Sequence, residues 1–450
     1  MAHRFPRFAL NPRKRGLCLV VFLALAGPSV LLAQPETASV VRMGNGLTVI
    51  LQEDHATDLV GIDVWVKAGV ANETRETNGV SHLIEHLIFG ATAKRKPGDV
   101  DREMESLGAT LDAHTSWDWA HFNTTVSSRY LSKALEVLAD SLTTAQFAEQ
   151  ELNREKLVIL DEIAKNRGDA SKVCRELMLR EIYGDHPYGL PVEGTAESIR
   201  RITRDDVVSY HRKYYVPANM AVVLVGDIDK GHAVAEVGRS FQGLAAAAAP
   251  EVFERPTPKV PRQVNKSINA QLRTDFLVIG FVGPPGSAYE DVCAIDVLAT
   301  YLGMGPRSWM REELVGRTGL ALDVSADFLT QREPAAISVA VSCAGGSIAR
   351  LKGAIFAKLA TIQKEGIPEA ALDWARRLVL GQFAFNRETV GGRANVYGFY
   401  FAVSDPMFAV RYIDCVQNTT NADIIRVAQR YLAPERAVVL AIGPDQGGSQ

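Results

Sequence analysis

Five consecutive residues, His82-Leu83-Ile84-Glu85-His86, carry the strongest chemical signal in the chain. They spell H-x-x-E-H, the reverse of the H-E-x-x-H zinc motif. On a helix, His82 and His86 stand at i and i+4, so both imidazoles leave the same face. Two neutral nitrogens at that spacing can reach one metal at about 2.0–2.1 Å. Glu85 shares that side and can touch a water on the metal without ligating it. The flanking Leu83, Ile84, Leu87, Ile88 and Phe89 make the helix strongly apolar. Two histidines and a glutamate are costly there unless something satisfies them. The bland alternative is a helix with two structural histidines.

A zinc site needs a third protein ligand, usually distant in sequence. Residues 147–166 read as a long helix, with Glu155 and Glu162 two turns apart on nearly one face. Leu152, Leu157, Val158, Ile159 and Ile163 are expected to fill its buried face, and Asp161 to point elsewhere. The two aligned carboxylates fit one ligand and one partner supporting a ligand. They also fit an ordinary charged helix face, and spacing alone does not choose.

The chain resembles the pitrilysin/insulinase family of zinc peptidases, in the short branch that includes the processing peptidases. The resemblance rests on H-x-x-E-H at 82–86 and on the glutamates that follow it. Glu162 lies 76 residues after His86, and Glu155 lies seven before Glu162. Further family-like segments are Gly46-Leu47-Thr48-Val49, Asn78-Gly79-Val80-Ser81, Phe89-Gly90-Ala91-Thr92, Asp112-Ala113-His114-Thr115-Ser116, His186-Pro187-Tyr188-Gly189 and Tyr215-Val216-Pro217-Ala218-Asn219-Met220. The match runs from about residue 40 to 445. It implies one Zn²⁺ per chain held by His82, His86 and Glu162, with Glu85 as general base and Glu155 supporting a ligand. It also implies a substrate-pairing edge strand at Asp112, Ala113, His114, Thr115 and Ser116. Residues 109–126 read as paired strands, and an extended peptide could add there through main-chain hydrogen bonds. His114, Trp117, Trp119 and His121 either line that chamber or pack the strands.

What positions these residues is a duplicated scaffold. Tyr214-Tyr215-Val216-Pro217 leads into Ala221–Gly226, and Tyr431-Leu432-Ala433-Pro434 leads into Val438–Gly443, at a constant offset of 217. An earlier echo pairs 61–69 with 277–285. Between the copies, 244–264 holds an alanine run and then Pro250, Pro256, Pro258 and Pro261, a linker composition. The expected organisation is a signal segment at 1–33, a zinc-binding domain at 34–243, the linker, and a homologous second domain at 265–450. The fold class is α+β. The resemblance implies that each domain is a mainly antiparallel sheet with helices on one face, and that the chain forms half of a clamshell.

The second copy lacks the chemistry. Ending its helix on Gly303, as the motif helix ends on Gly90, sets Ile295, Leu298 and Ala299 opposite His82, Glu85 and His86. Active relatives often carry an arginine and a tyrosine seven apart in the second domain. Here those positions are Val315 and Leu322, with Arg311 and Arg317 nearby. In two-subunit relatives the pair sits on the other chain. The resemblance therefore implies the zinc-bearing subunit of a heterodimer, with a self-sufficient homodimer or a noncatalytic scaffold as alternatives.

Composition is ordinary for a folded enzyme, 47% apolar and 22% charged. A net charge of −3 gives no bulk footprint for nucleic acid. Arg4, Arg7, Arg13, Lys14 and Arg15 precede an apolar run at 17–26, with no acid before Glu36. That reads as an export signal cleaved after Ala26 or Ala33, with the bacterial periplasm as destination and an uncleaved anchor as the alternative. The run is short for a stable membrane span. Cys174, Cys293, Cys343 and Cys415 are scattered singly, so buried thiols are the default, with one or two bridges open to an exported protein.

Overall fold

The computed structural model describes residues 38–250, 263–270 and 274–444. The expected signal segment and most of the proline-rich linker lie outside them. In the first half the strands are β1 (Ser39–Arg42), β2 (Thr48–Glu53) and β3 (Leu59–Val66). Helices α1 (Val80–Leu87) and α2 (Asp99–Ser106) follow, then the hairpin β4 (Asp112–Thr115) and β5 (Ala120–Ser127). Next come α3 (Leu131–Thr144), α4 (Glu149–Asn166), α5 (Ala170–Tyr183), α6 (Ala196–Arg201) and α7 (Arg204–Tyr214). Strand β6 (Met220–Gly226) and α8 (Lys230–Ser240) close this half.

The second half repeats the scheme. It runs β7 (Val264–Ala270), β8 (Asp275–Val282), α9 (Tyr289–Gly303), β9 (Asp323–Phe328) and β10 (Ala336–Cys343). Helices α10 (Ile348–Glu365), α11 (Glu369–Asn386), α12 (Val390–Val403), α13 (Phe408–Gln417) and α14 (Asn421–Tyr431) precede the last strand, β11 (Val438–Pro444).

The strand orders are β1-β2-β6-β3-β5-β4 and β7-β11-β8-β10-β9. Apart from β1 they are the same sheet twice. In each, one parallel pair (β2 with β6, β7 with β11) joins an otherwise antiparallel ladder. The residues 217 apart, Ala221 and Val438, stand at the start of interior strands, β6 and β11, that read as apolar runs because they are covered on both faces.

As expected, each half packs its own helices on one face of its sheet, and the opposite face is covered by the other half. On one face of the first sheet, Val60, Ile62, Val64, Val222 and Leu224 pack with α1, α3, α7 and α8 of the same half. On the other face, Trp65, Ala221 and Val223 meet Val390, Ala394 and Tyr397 of α12. The exchange is reciprocal: Cys174, Met178 and Ile182 of α5 pack on Val278, Leu440 and Ile442 of the second sheet. A sheet apolar on both sides needs two covers, and each half borrows its second cover from the other. Close approach is required where α12 crosses, since a Cβ on Gly398 would lie 1.9 Å from Trp65 Nε1.

Helix α4 begins at Glu149, and its buried stripe is narrower than the sequence suggested. Leu152 and Ile159 are buried, but Leu157 and Val158 are 69% and 41% exposed. The inward face is set by the turn positions carrying Leu152, Glu155, Ile159 and Glu162; at about 100° per residue Leu157 falls opposite and Val158 at the margin. Cys293 and Cys415 form a disulfide, whereas Cys174 and Cys343 are buried free thiols.

Candidate metal centre

Helix α1 is held by a residue that the sequence reading missed. Its N-cap is Gly79, whose φ of 96° and tight packing on Ile199 and Gly194 suit only glycine, and which has no side chain to cap with. Glu73, 5% exposed, does the capping. Its carboxylate accepts from Asn78 Nδ2 (2.9 Å), the Gly79 amide (2.8 Å), the Ser81 amide (2.9 Å) and the Ser81 hydroxyl. Burial pushes the Glu73 carboxyl up, and these donors oppose that shift. A negative charge here also favours the helix dipole. No spacing rule singles out Glu73; a glycine N-cap on a helix of costly polar residues is the one hint.

Along α1, Val80, Leu83, Ile84 and Leu87 face the core. His82, Glu85 and His86 are left half-buried on the side that faces α4. Ligand atoms of His82, His86 and Glu162 all lie within 4.8 Å of one another, and this is the one such cluster of three His, Cys, Asp or Glu residues among the described residues. His86 Nε2 is 3.9 Å from Glu162 Oε2, while His86 Nδ1 is 3.2 Å from Glu155 Oε2. The Nδ1–H donating to Glu155 leaves the Nε2 lone pair facing Glu162. Burial pushes the His82 imidazole below its ordinary value, favouring the neutral, ligating form. His82 Nδ1 and Glu85 Oε2 are buried without hydrogen-bond partners, as polar atoms are where a ligand or solvent completes a site. Two imidazoles and a carboxylate suit Zn²⁺ and leave room for water.

The edge strand stands where expected. Strand β4 ends its sheet, paired to β5 alone, with Asp112 and His114 exposed and Ala113, Thr115 and Ser116 half-buried. His121 is instead a packing residue, its Nδ1 2.9 Å from buried Asp63 and its ring stacked on Trp65. Trp117 is buried too, its indole donating to the Leu190 carbonyl. Val315 is half-buried and Leu322 exposed. Arg311 pairs with Asp323 at 2.7 Å and Arg317 with Glu313, so both candidate stand-ins for the absent arginine are engaged locally.

Two family profiles match the chain: "Insulinase (Peptidase family M16)" over 48–196 and "Peptidase M16 inactive domain" over 201–379. Among curated relatives, an uncharacterized zinc protease of Rickettsia felis is 26% identical, covering 86% of this chain and 95% of its own length. The zinc protease PqqE of Helicobacter pylori is 27% identical, covering 90% and 92%. Among solved structures, a protease from Helicobacter pylori superimposes with a TM-score of 0.83 at 24% identity, over 91% of this chain and all of that one. The periplasmic protease PqqL from Escherichia coli matches with a TM-score of 0.71 at 18% identity, but this chain covers only 48% of it.

Proposed function

The chain belongs to peptidase family M16, the insulinase family, and on that premise we propose that it is an exported zinc-dependent endopeptidase acting on peptides or unfolded polypeptides. The observation that carries this reading is the convergence of His82, His86 and Glu162 within 4.8 Å, with Glu85 on the same helix face. These three residues would hold Zn²⁺, with Glu155 fixing the His86 ring. Bound there, the ion would polarise the scissile carbonyl and acidify a water. Glu85 takes the proton from the attacking water and returns it to the leaving amine. The open edge of β4 takes the substrate as an added strand, which selects extended chains over folded ones.

We place the protein as the zinc-bearing subunit of a two-subunit clamshell. Support comes from Val315 and Leu322 at the arginine and tyrosine positions, and from double-length neighbours of which this chain covers about half. The Cys293–Cys415 bridge fits an oxidising compartment such as the periplasm. Among the described residues no helix is long and apolar enough to cross a membrane. The testing experiment is cleavage of a mixed set of quenched-fluorescent peptides by the zinc-loaded chain, alone and with any subunit that co-purifies. Cleavage that Glu85→Gln lacks supports the peptidase; full activity of the single chain would remove the heterodimer. No cleavage by either preparation would leave a scaffold.

A further inference from the structure

Beyond the metal centre, a cavity of about 220 Å³ opens at the end of the edge strand. Thr115, Ser116 and Trp117 form one wall, and Lys172, Arg175 and Leu179 of α5 form another. A second cavity of about 230 Å³ shares Trp117, Arg175 and Leu179 with it. Glu193 and the segment 189–192 close the remaining side of the first cavity. A peptide added along β4 would send alternate side chains to either side of the strand, and one leaving beside Ser116 has this cavity before it.

The charges around the cavity are not equivalent. Lys172 Nζ is bound to Glu193 Oε1 at 3.1 Å, and Asn166 holds the same oxygen at 3.1 Å. Glu176 is exposed, and partial desolvation and the Glu193 carboxylate push its carboxyl up. Arg175 is exposed and makes no ion pair or hydrogen bond among the described residues. Asp327, across the second cavity, is not within ion-pair reach of it. The apolar surface of Trp117, Leu179 and Leu190 would cover the methylenes of an entering side chain.

We propose that Arg175 is a specificity-determining residue, binding the carboxylate of an aspartate or glutamate in a peptide paired with β4. A guanidinium offers a carboxylate two parallel N–H donors, and beside apolar walls that pair is stronger than in open water. The inference rests on the peptidase reading and names its substrate class: chains with an acidic residue at one fixed place from the scissile bond.

The test uses the zinc-loaded protein with any co-purifying subunit, in the Glu85→Gln form, so that peptides bind uncut. Labelled peptides carrying Glu, Gln or Lys at each position in turn are titrated by fluorescence anisotropy. One position is expected to favour Glu over Lys by about tenfold, the worth of one charge-assisted pair. Arg175→Gln should level that preference and Arg175→Glu reverse it, with other positions and zinc content unchanged. An unchanged ranking in Arg175→Glu, no acidic preference anywhere, or no peptide binding would overturn the proposal. Failure of the peptidase reading is separate: the wild type would show the binding preference yet no Glu85-dependent cleavage.

Discussion

Helices α1 and α9 follow equivalent strands in sheets of the same order, yet they are buried differently. The first leaves His82, Glu85 and His86 half-exposed toward α4; the second is buried along almost its whole length, with Ile295 and Leu298 each 1% exposed. Their partners diverge in the same way. Helices α4 and α11 both have 18 residues, and aligned end to end they set Glu155 and Glu162 opposite Ala375 and Gln382. One half keeps buried and half-buried polar groups at a helix–helix seam and bears their cost; the other packs Ile295, Leu298 and Ala375 there and leaves Gln382 exposed. What the duplication preserved is the scaffold. The capping boxes of α7 and α14, at Thr203 and Thr420, still stand 217 residues apart.

That contrast can be broken by exchanging the kinds of damage. Glu85→Gln should lower kcat by about 10²–10⁴-fold, the usual worth of a general base, with zinc content and Tm unchanged. At the equivalent place in the second half, Leu298→Ala should spare the metal centre and cost about 2–5 kcal/mol of stability, read by denaturant unfolding. Turnover lost without destabilisation in Leu298→Ala would contradict the division of roles.

Smaller effects sharpen it. Glu155→Gln should weaken zinc affinity about 10–100-fold, measured by competition with a chelator. Glu73→Ala strips four donors at the start of α1 of their acceptor, and each such loss costs about 1–3 kcal/mol before solvent compensates. Its Tm should fall and its zinc affinity with it, whereas Glu73→Asp should recover part of both. A Tm loss with zinc affinity intact would show that α1 does not need this cap to hold its histidines.

The smallest expected difference concerns the exchanged helices. Gly398→Ala drives a methyl into the Trp65 indole and should cost about 1–3 kcal/mol. Gly280→Ala meets only the flexible ends of Met178 and Ile182 of α5 and should cost less. Equal losses would mean that α12 and α5 do not grip their sheets as the packing indicates.

Much of this was legible in the chain. The motif at 82–86 brought two candidate ligands to one helix face because helical spacing is rigid, and the offset of 217 revealed the repeated strands because β-branched runs mark buried sheet. Glu155 and Glu162 needed the family spacing, since two carboxylates seven apart also describe a solvated face. What the sequence hid depends on tertiary placement. The cap from Glu73 and the crossing of α5 and α12 leave no periodicity to read, and which face of α4 turns inward, sending Leu157 and Val158 outward, is decided by the neighbours it packs on. Scattered cysteines gave no connectivity, and the Cys293–Cys415 bridge joins residues 122 apart on α9 and α13.

A single metal centre confined to the first half is tested most directly by zinc per chain, from elemental analysis of exported protein, in the wild type, Glu162→Gln and Gln382→Glu. Expected are one zinc in the wild type, well below one in Glu162→Gln, and still one in Gln382→Glu. A wild type without zinc, or full occupancy in Glu162→Gln, would contradict that placement.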